Sequence, residues 1–192
     1  MSILRLNCTD PKLEEFKQSR KELGISFFET LTAIAQPIID NNHPRVKSTI
    51  DAIESEKMRF NTRERERDWI CAVLNKAGVI NTSTYSRIRT PDHNIFLSQV
   101  ISICIFLGID LEDSVCLIDA AGYSLRPNNK LHNLYEWLIQ KSHEEATDAI
   151  PLDKGNLKYH SLMSECNKFL IENGIESEQA MLGIRSKKKS LN

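Results

Sequence analysis

Glycine is scarce in this chain, at seven of 192 residues. None falls in the spacing G-x-x-x-x-G-K or G-x-G-x-x-G, which wraps backbone amides around a phosphate. No serine sits in a G-x-S-x-G elbow. There is no C-x-x-C pair and no His-Glu-x-x-His, and the histidines (His43, His93, His132, His143, His160) never place two on one helical face. A zinc site therefore cannot be assembled locally. The five cysteines (Cys8, Cys71, Cys104, Cys116, Cys166) are odd in number and widely spaced, and four of them fall in apolar helical patterns. Reduced core thiols fit this better than a disulfide frame. The densest apolar stretch, 95–109, is shorter than the ~20 residues of a membrane span. The first residues lack a basic region followed by an apolar region of secretory length. The expectation is a cytoplasmic protein with no membrane partner, no enzymatic activity, no cofactor and no metal.

The charge is close to balanced, with 25 Lys and Arg against 26 Asp and Glu, but it is distributed in blocks. Residues 59–89 carry seven basic and three acidic side chains, residues 90–183 carry six basic and fourteen acidic, and the end of the chain adds Arg185, Lys187, Lys188 and Lys189. Screening limits electrostatic reach to about 8–10 Å, so a local positive patch matters more for phosphate binding than the chain total. The run Arg63-Glu-Arg-Glu-Arg67 also fits a solvated helix start of alternating charge.

Helical periodicity dominates and strand alternation is nearly absent. Asp10-Pro11 predicts a helix reaching Gly24. Ser26-x-x-Glu29 is a capping box that opens a second helix, which Pro37 should kink or end. Pro44 starts a third with the stripe Val46, Ile50, Ile53. Asp68 caps a short helix, Trp69 to Ala77, ended by Gly78. A turn through Val79, Ile80 and Asn81 leads to another short helix, Thr82 to Arg89, with Tyr85 and Ile88 inward. Residues 95–108 are apolar on nearly every side, Phe96 and Leu107 included, which predicts a helix at the centre of a domain. Further helices are expected at 111–121, at 130–141 (Leu131, Leu134, Trp137 and Leu138 inward) and at 157–173, with Ser177 capping a short last one.

Gly78-Val79 followed by Ser83-Thr84-Tyr85-Ser86-Arg87-Ile88 resembles the second and third helices of the Xre, or lambda-repressor-like, helix-turn-helix family. In that family a glycine and a valine end the second helix, and the recognition helix often reads Ser-Thr-apolar-Ser-Arg-Ile. Gly108 before Ile109-Asp110-Leu111-Glu112 resembles the junction after the family's fourth helix. Ala120-Ala-Gly-Tyr-Ser-Leu125 resembles one bacterial and phage branch. The turn is one residue longer than the commonest pattern, and Thr82 stands where glutamine is usual. The resemblance covers about Asp68 to Leu125, with a first helix placed at Val46–Phe60.

The resemblance implies a five-helix core at 46–125 in an all-α chain; the residues on either side read as an N-terminal helical segment at 1–45, a C-terminal helical segment at 126–183 and a basic tail at 184–192, which fits either a disordered solubilising end or a second phosphate contact. It also implies a DNA-binding transcriptional regulator, a repressor, that acts as a homodimer on double-stranded DNA. With Tyr85 and Ile88 inward, Thr82, Ser83, Ser86 and Arg87 fall on the opposite or flanking faces of the recognition helix. Thr84, Arg89, Arg65 and Arg67 join them as candidate DNA contacts, the arginines along the flanking backbone. Arg87 also fits an internal tie between helices. The second expectation is a helical protein-interaction module (an antitoxin, anti-restriction or adapter protein) that keeps the fold and meets a protein partner without reading bases.

Overall fold

A computed structural model describes residues 26–60, 68–90, 95–147 and 157–184. The described residues form eight helices and no strand. They are α1 (Phe27–Asp40), α2 (Pro44–Phe60), α3 (Trp69–Lys76), α4 (Thr82–Ile88), α5 (Leu97–Leu107), α6 (Leu111–Ala120), α7 (Lys130–Thr147) and α8 (Leu157–Glu172). Among the described residues the chain is all-α, as its periodicity predicts. The expected helix at 10–24 and the tail from 185 onward lie outside the described residues, and no helix among those described is long and apolar enough to cross a membrane.

Local signals place most helix starts. The capping box of α1 is formed in both directions: Ser26 Oγ accepts from the Glu29 amide at 3.3 Å, and the Glu29 carboxylate accepts from the Ser26 amide at 2.8 Å. Asp68 caps α3 through the Cys71 amide, and Asp110 caps α6 through the Asp113 amide. Pro37 does not end α1 at its own position. The helix runs three residues beyond it, because Pro37 removes only one internal hydrogen bond close to the terminus and its ring faces solvent.

α5 is the centre of the fold. Every residue from Val100 to Leu107 is buried, and the helix packs against α2, α6 and α7. α1 lies on α3 and α6, and α2 lies on α3. A single cluster of buried side chains runs from Phe27 and Leu31 through Val46, Leu74 and Phe106 to Leu170 and Leu182. A helix enclosed on all sides has no water to satisfy its last carbonyls, so the protein must supply partners. Gly108 takes the left-handed conformation (φ 65°) and its amide returns to the Cys104 carbonyl. The Ile105 carbonyl accepts from the Ser142 hydroxyl of α7 at 2.7 Å and from the Arg45 guanidinium of α2 at 3.3 Å. His143 Nδ1 lies 2.8 Å from the Gly108 carbonyl. A guanidinium at this negative helix end also has favourable charge.

Two core expectations are corrected. Phe96 is 60% exposed: it occupies the cap position of α5, outside the helical register that would turn it inward, and Ile95 is buried instead. Trp137 is 43% exposed. The buried face of α7 runs through Tyr135, Leu138, Ile139 and Ser142, which leaves Trp137 at its edge, stacked on Phe169 of α8 at 4.5 Å. α7 also continues six residues past Lys141.

The last described segment is a strap, not a helix. Residues 178–180 form a turn in which Ser177 Oγ accepts from the Gln179 amide. Ala180 and Leu182 are buried, and Tyr135 donates its hydroxyl hydrogen bond to the Ala180 carbonyl at 2.6 Å. The Asn167 side chain clasps Leu182, accepting from its amide at 2.7 Å and donating to its carbonyl at 3.1 Å. The Gly183 amide donates to Ser102 Oγ of α5 at 2.8 Å, and the Ile184 amide donates to the Gly78 carbonyl at 2.9 Å. Gly183 has φ 82° there.

Leu107→Ala is expected to lower the unfolding free energy by about 2–5 kcal/mol, the range for emptying a closed core site. Phe96→Ala should cost less than about 1 kcal/mol. Urea denaturation of the two variants checks the assignment of α5.

The chain also carries a pH dependence. Burial holds the pKa of His43 below the ordinary 6.5, helped by Arg45 and His143, and burial with Arg126 does the same for His132. Each ring accepts a backbone hydrogen bond at Nδ1, from the amides of Arg45 and Arg126 respectively, and this requires the neutral imidazole. The unfolded chain therefore binds these protons more readily than the folded one. Their stabilising contribution is complete above pH 6.5 and is lost as pH falls through the depressed folded values. Unfolding free energies measured between pH 7.5 and 5.5 are expected to fall (about those pH values, within the titration range of histidine), and His132→Gln should flatten the slope.

Candidate nucleic-acid interface

α3 and α4 are joined by a turn whose backbone is fully specified. The Val79 amide returns to the Leu74 carbonyl and the Gly78 amide to the Asn75 carbonyl, the two bonds of a Schellman ending. They require the left-handed backbone that Gly78 adopts at φ 71°. Val79 and Ile80 are then driven into the core, at 0% and 1% exposure. Asn81 opens α4, with its side-chain oxygen accepting from the Thr84 amide and from Ser83 Oγ, both at 2.7 Å. The linear pattern places Asn81 in the turn. Its signal as a cap was an asparagine immediately before a helical pattern.

α4 has an inner and an outer side. Tyr85 and Ile88 are buried, as their spacing predicts, and Thr84 is buried with them at 6% exposure. Thr84 is thereby removed from the exposed face on which the candidate contacts were placed. The reason is helical geometry: positions 84 and 88 are one turn apart and share a face. Thr82, Ser83, Ser86, Arg87 and Arg89 are exposed. Arg65 and Arg67 lie outside the described residues.

The arginines are held by their own chain. Arg87 Nε donates to the Ser83 carbonyl at 3.2 Å, and a terminal nitrogen approaches Thr84 Oγ1 at 3.5 Å, so the guanidinium lies along the outer wall of α4. Arg89 pairs loosely with Asp68 at 3.9 Å and lies over the Phe28 ring, 5.4 Å from its centroid. Phe28 in turn meets Tyr85 edge to face at 5.8 Å.

Asp68 joins the two short helices. While capping α3, it accepts the Tyr85 hydroxyl at 2.8 Å from each of its oxygens. Burial and this carboxylate push the Tyr85 hydroxyl far above its ordinary pKa of 10, so it stays a donor. In the linear pattern Asp68 is legible only as a cap. Nothing in the linear pattern signalled that a tyrosine seventeen residues on would share it.

Three of the described thiols, Cys104, Cys116 and Cys166, belong to the core. Cys104 and Cys116 are buried as expected, and burial pushes Cys104 up to about 12 and Cys166 up to about 11. Among the described residues no three His, Cys, Asp or Glu side chains come together to hold a metal. The surface depression beside Trp137, Gln140, Lys141, Glu144 and Glu145 is shallow and lies on α7, an element separate from α4.

The chain matches no protein-family model, no curated protein and no solved structure.

Asp68→Ala is expected to cost about 1–3 kcal/mol, since it removes a helix cap and the acceptor of a partly buried hydroxyl. Tyr85→Phe should cost about 1 kcal/mol. The double variant should fall short of the sum by at least about 0.5 kcal/mol. Denaturant titration of all four proteins closes the cycle, and a coupling near zero would show that the two side chains act separately.

Proposed function

We propose that this chain is a DNA-binding transcriptional regulator, a repressor, in which α3 and α4 act as a helix-turn-helix and α4 enters the major groove of double-stranded DNA. One observation carries the reading. A short helix, locked from behind by Thr84, Tyr85 and Ile88, presents Thr82, Ser83, Ser86 and Arg87 outward, with no carboxylate among them. Hydroxyls and a guanidinium on a rigid ridge suit both phosphate oxygens and base edges. The Asp68–Tyr85 link and the Schellman turn fix the angle between the helices, and groove insertion needs such rigidity. The proposed assembly is a homodimer on a two-fold site, since a seven-residue reading helix covers few base pairs alone. The resemblance to the Xre family supports the same reading, in a lambda-repressor-like arrangement of α2 to α6.

The second reading, a helical protein-interaction module, is favoured by the engagement of both arginines with groups of their own chain. The two readings part on one substitution. Arg87→Ala is expected to weaken duplex binding by about 1–3 kcal/mol and to leave thermal stability within about 0.5 kcal/mol of the parent, as a solvent-facing change does. Electrophoretic mobility shift at low and physiological salt measures the first, and a thermal melt the second. If Arg87→Ala unfolds the chain, the arginine is a structural tie. If the parent binds no duplex at low salt, the protein-interaction reading replaces this one.

A further inference from the structure

The turn between α3 and α4 commits its amides to its own helix: those of Gly78, Val79 and Ile80 return to the carbonyls of Asn75 and Leu74 in α3. The Gly78 carbonyl instead accepts from the Ile184 amide at 2.9 Å, which ties the helix pair to the far end of the described chain. The segment 180–184 is fastened to three further elements. Tyr135 of α7 donates to the Ala180 carbonyl, Asn167 of α8 clasps Leu182, and Ser102 of α5 accepts from the Gly183 amide. The fit is close at Gly183, where φ is 82° and a Cβ would meet the Gly78 carbonyl and the Met163 side chain at 3.4 Å. Upstream, α8 is closed by Gly174 at φ 78°, with the Gly174 amide returning to Ile171 and the Ile175 amide to Leu170. The strap therefore leaves α8 through a break in the helix instead of continuing it.

We propose that residues 180–184 are a conformational latch: seated, the strap fixes the α3–α4 turn against α5, α7 and α8, and lifted, it frees that turn to shift. The consequence for duplex binding rests on the reading of α4 as a DNA-binding helix, whereas the latch itself rests on the strap contacts alone. A helix pair whose turn bonds within itself keeps its shape, but its position depends on outside ties. Val79 and Ile80 supply an apolar tie, which is non-directional. The Ile184 bond supplies a directional one. Residues 174–177 are the hinge, since backbone rotation there swings the strap without unwinding α8. The central helix survives release. Ser102 Oγ also donates to the Ser98 carbonyl at 2.6 Å, so it keeps a partner when the Gly183 amide leaves.

The test uses the full chain and two variants, with amide hydrogen exchange followed by NMR. Gly183→Ala places a side chain in the left-handed region and is expected to shift the balance toward the lifted strap by about tenfold. Asn167→Ala removes the clasp on Leu182 from a distance, so its effect cannot come from a methyl group pressing on Gly78. In both variants the amides of Leu182 and Ile184 should lose protection by about tenfold, and those of Gly78, Val79 and Ile80 should fall with them. The amides of Gly108 and Ala121, bonded at the ends of α5 and α6, should keep theirs. Strap amides that lose protection while the turn amides do not would overturn the latch. So would an equal loss at Gly108 and Ala121 in both variants, which makes the strap part of one cooperative body. Fluorescence anisotropy with a short random-sequence duplex reads the consequence: binding about fivefold to tenfold weaker in both variants at an unchanged salt slope, because no phosphate contact is removed. If the turn loosens and duplex affinity does not change, the latch stands and α4 does not read the groove. If the parent binds no duplex at the lowest salt, the α4 reading falls and the exchange pattern alone decides the latch.

Discussion

The enclosure of α5 is the constraint from which the rest of this structure follows. A helix buried from Val100 to Leu107 gains free energy on every face only if other elements surround it. α2, α6 and α7 do so. Enclosure also creates a polar debt at the helix end, which Arg45, Ser142 and His143 settle at the carbonyls of Ile105 and Gly108. The same groups draw α2 and α7 together, so the solution to a hydrogen-bonding problem also sets the packing of helices distant in sequence. Ser102 extends the pattern. Its hydroxyl donates to the Ser98 carbonyl and accepts from Gly183, and so couples the central helix to the strap.

The α3–α4 pair is joined to this framework by an apolar side and a polar edge. Its buried residues, Val73, Leu74, Val79, Ile80, Tyr85 and Ile88, join the common core, while Asp68, Tyr85, Arg89 and Phe28 form a connected polar and aromatic brace at its edge. The brace explains how a helix of only seven residues, below the length at which isolated helices persist in water, is held in shape. Propensity contributes little to α4; tertiary contacts decide it.

Helix positions were largely legible because their signals are local. Ser26 with Glu29, Asp68, Asp110 and Gly108 each act within one turn of chain. The outward face of α4 was legible for the same reason, from the spacing of Tyr85 and Ile88, except at Thr84, which shares the buried face with Ile88. What failed to show in the sequence was set by contacts between distant segments or by register at a helix end. Phe96 fits the apolar stripe of α5, yet it stands one step outside the helix. Trp137 fits the stripe of α7, but the face is centred two residues away on Tyr135 and Ile139. The strap has no periodicity at all, since a segment held by side-chain clasps leaves no repeat to read.

Three consecutive amides of that strap have acceptors in three different parts of the fold: Leu182 on Asn167 of α8, Gly183 on Ser102 of α5, and Ile184 on Gly78 of the α3–α4 turn. Their protection against hydrogen exchange is therefore a compact report on assembly. If the strap lifts as one body, the three amides show one protection factor and share one opening free energy. If the turn loosens while the core stays closed, Ile184 exchanges ahead of its neighbours. Three adjacent positions thus separate motion of the proposed reading unit from motion of the body that carries it.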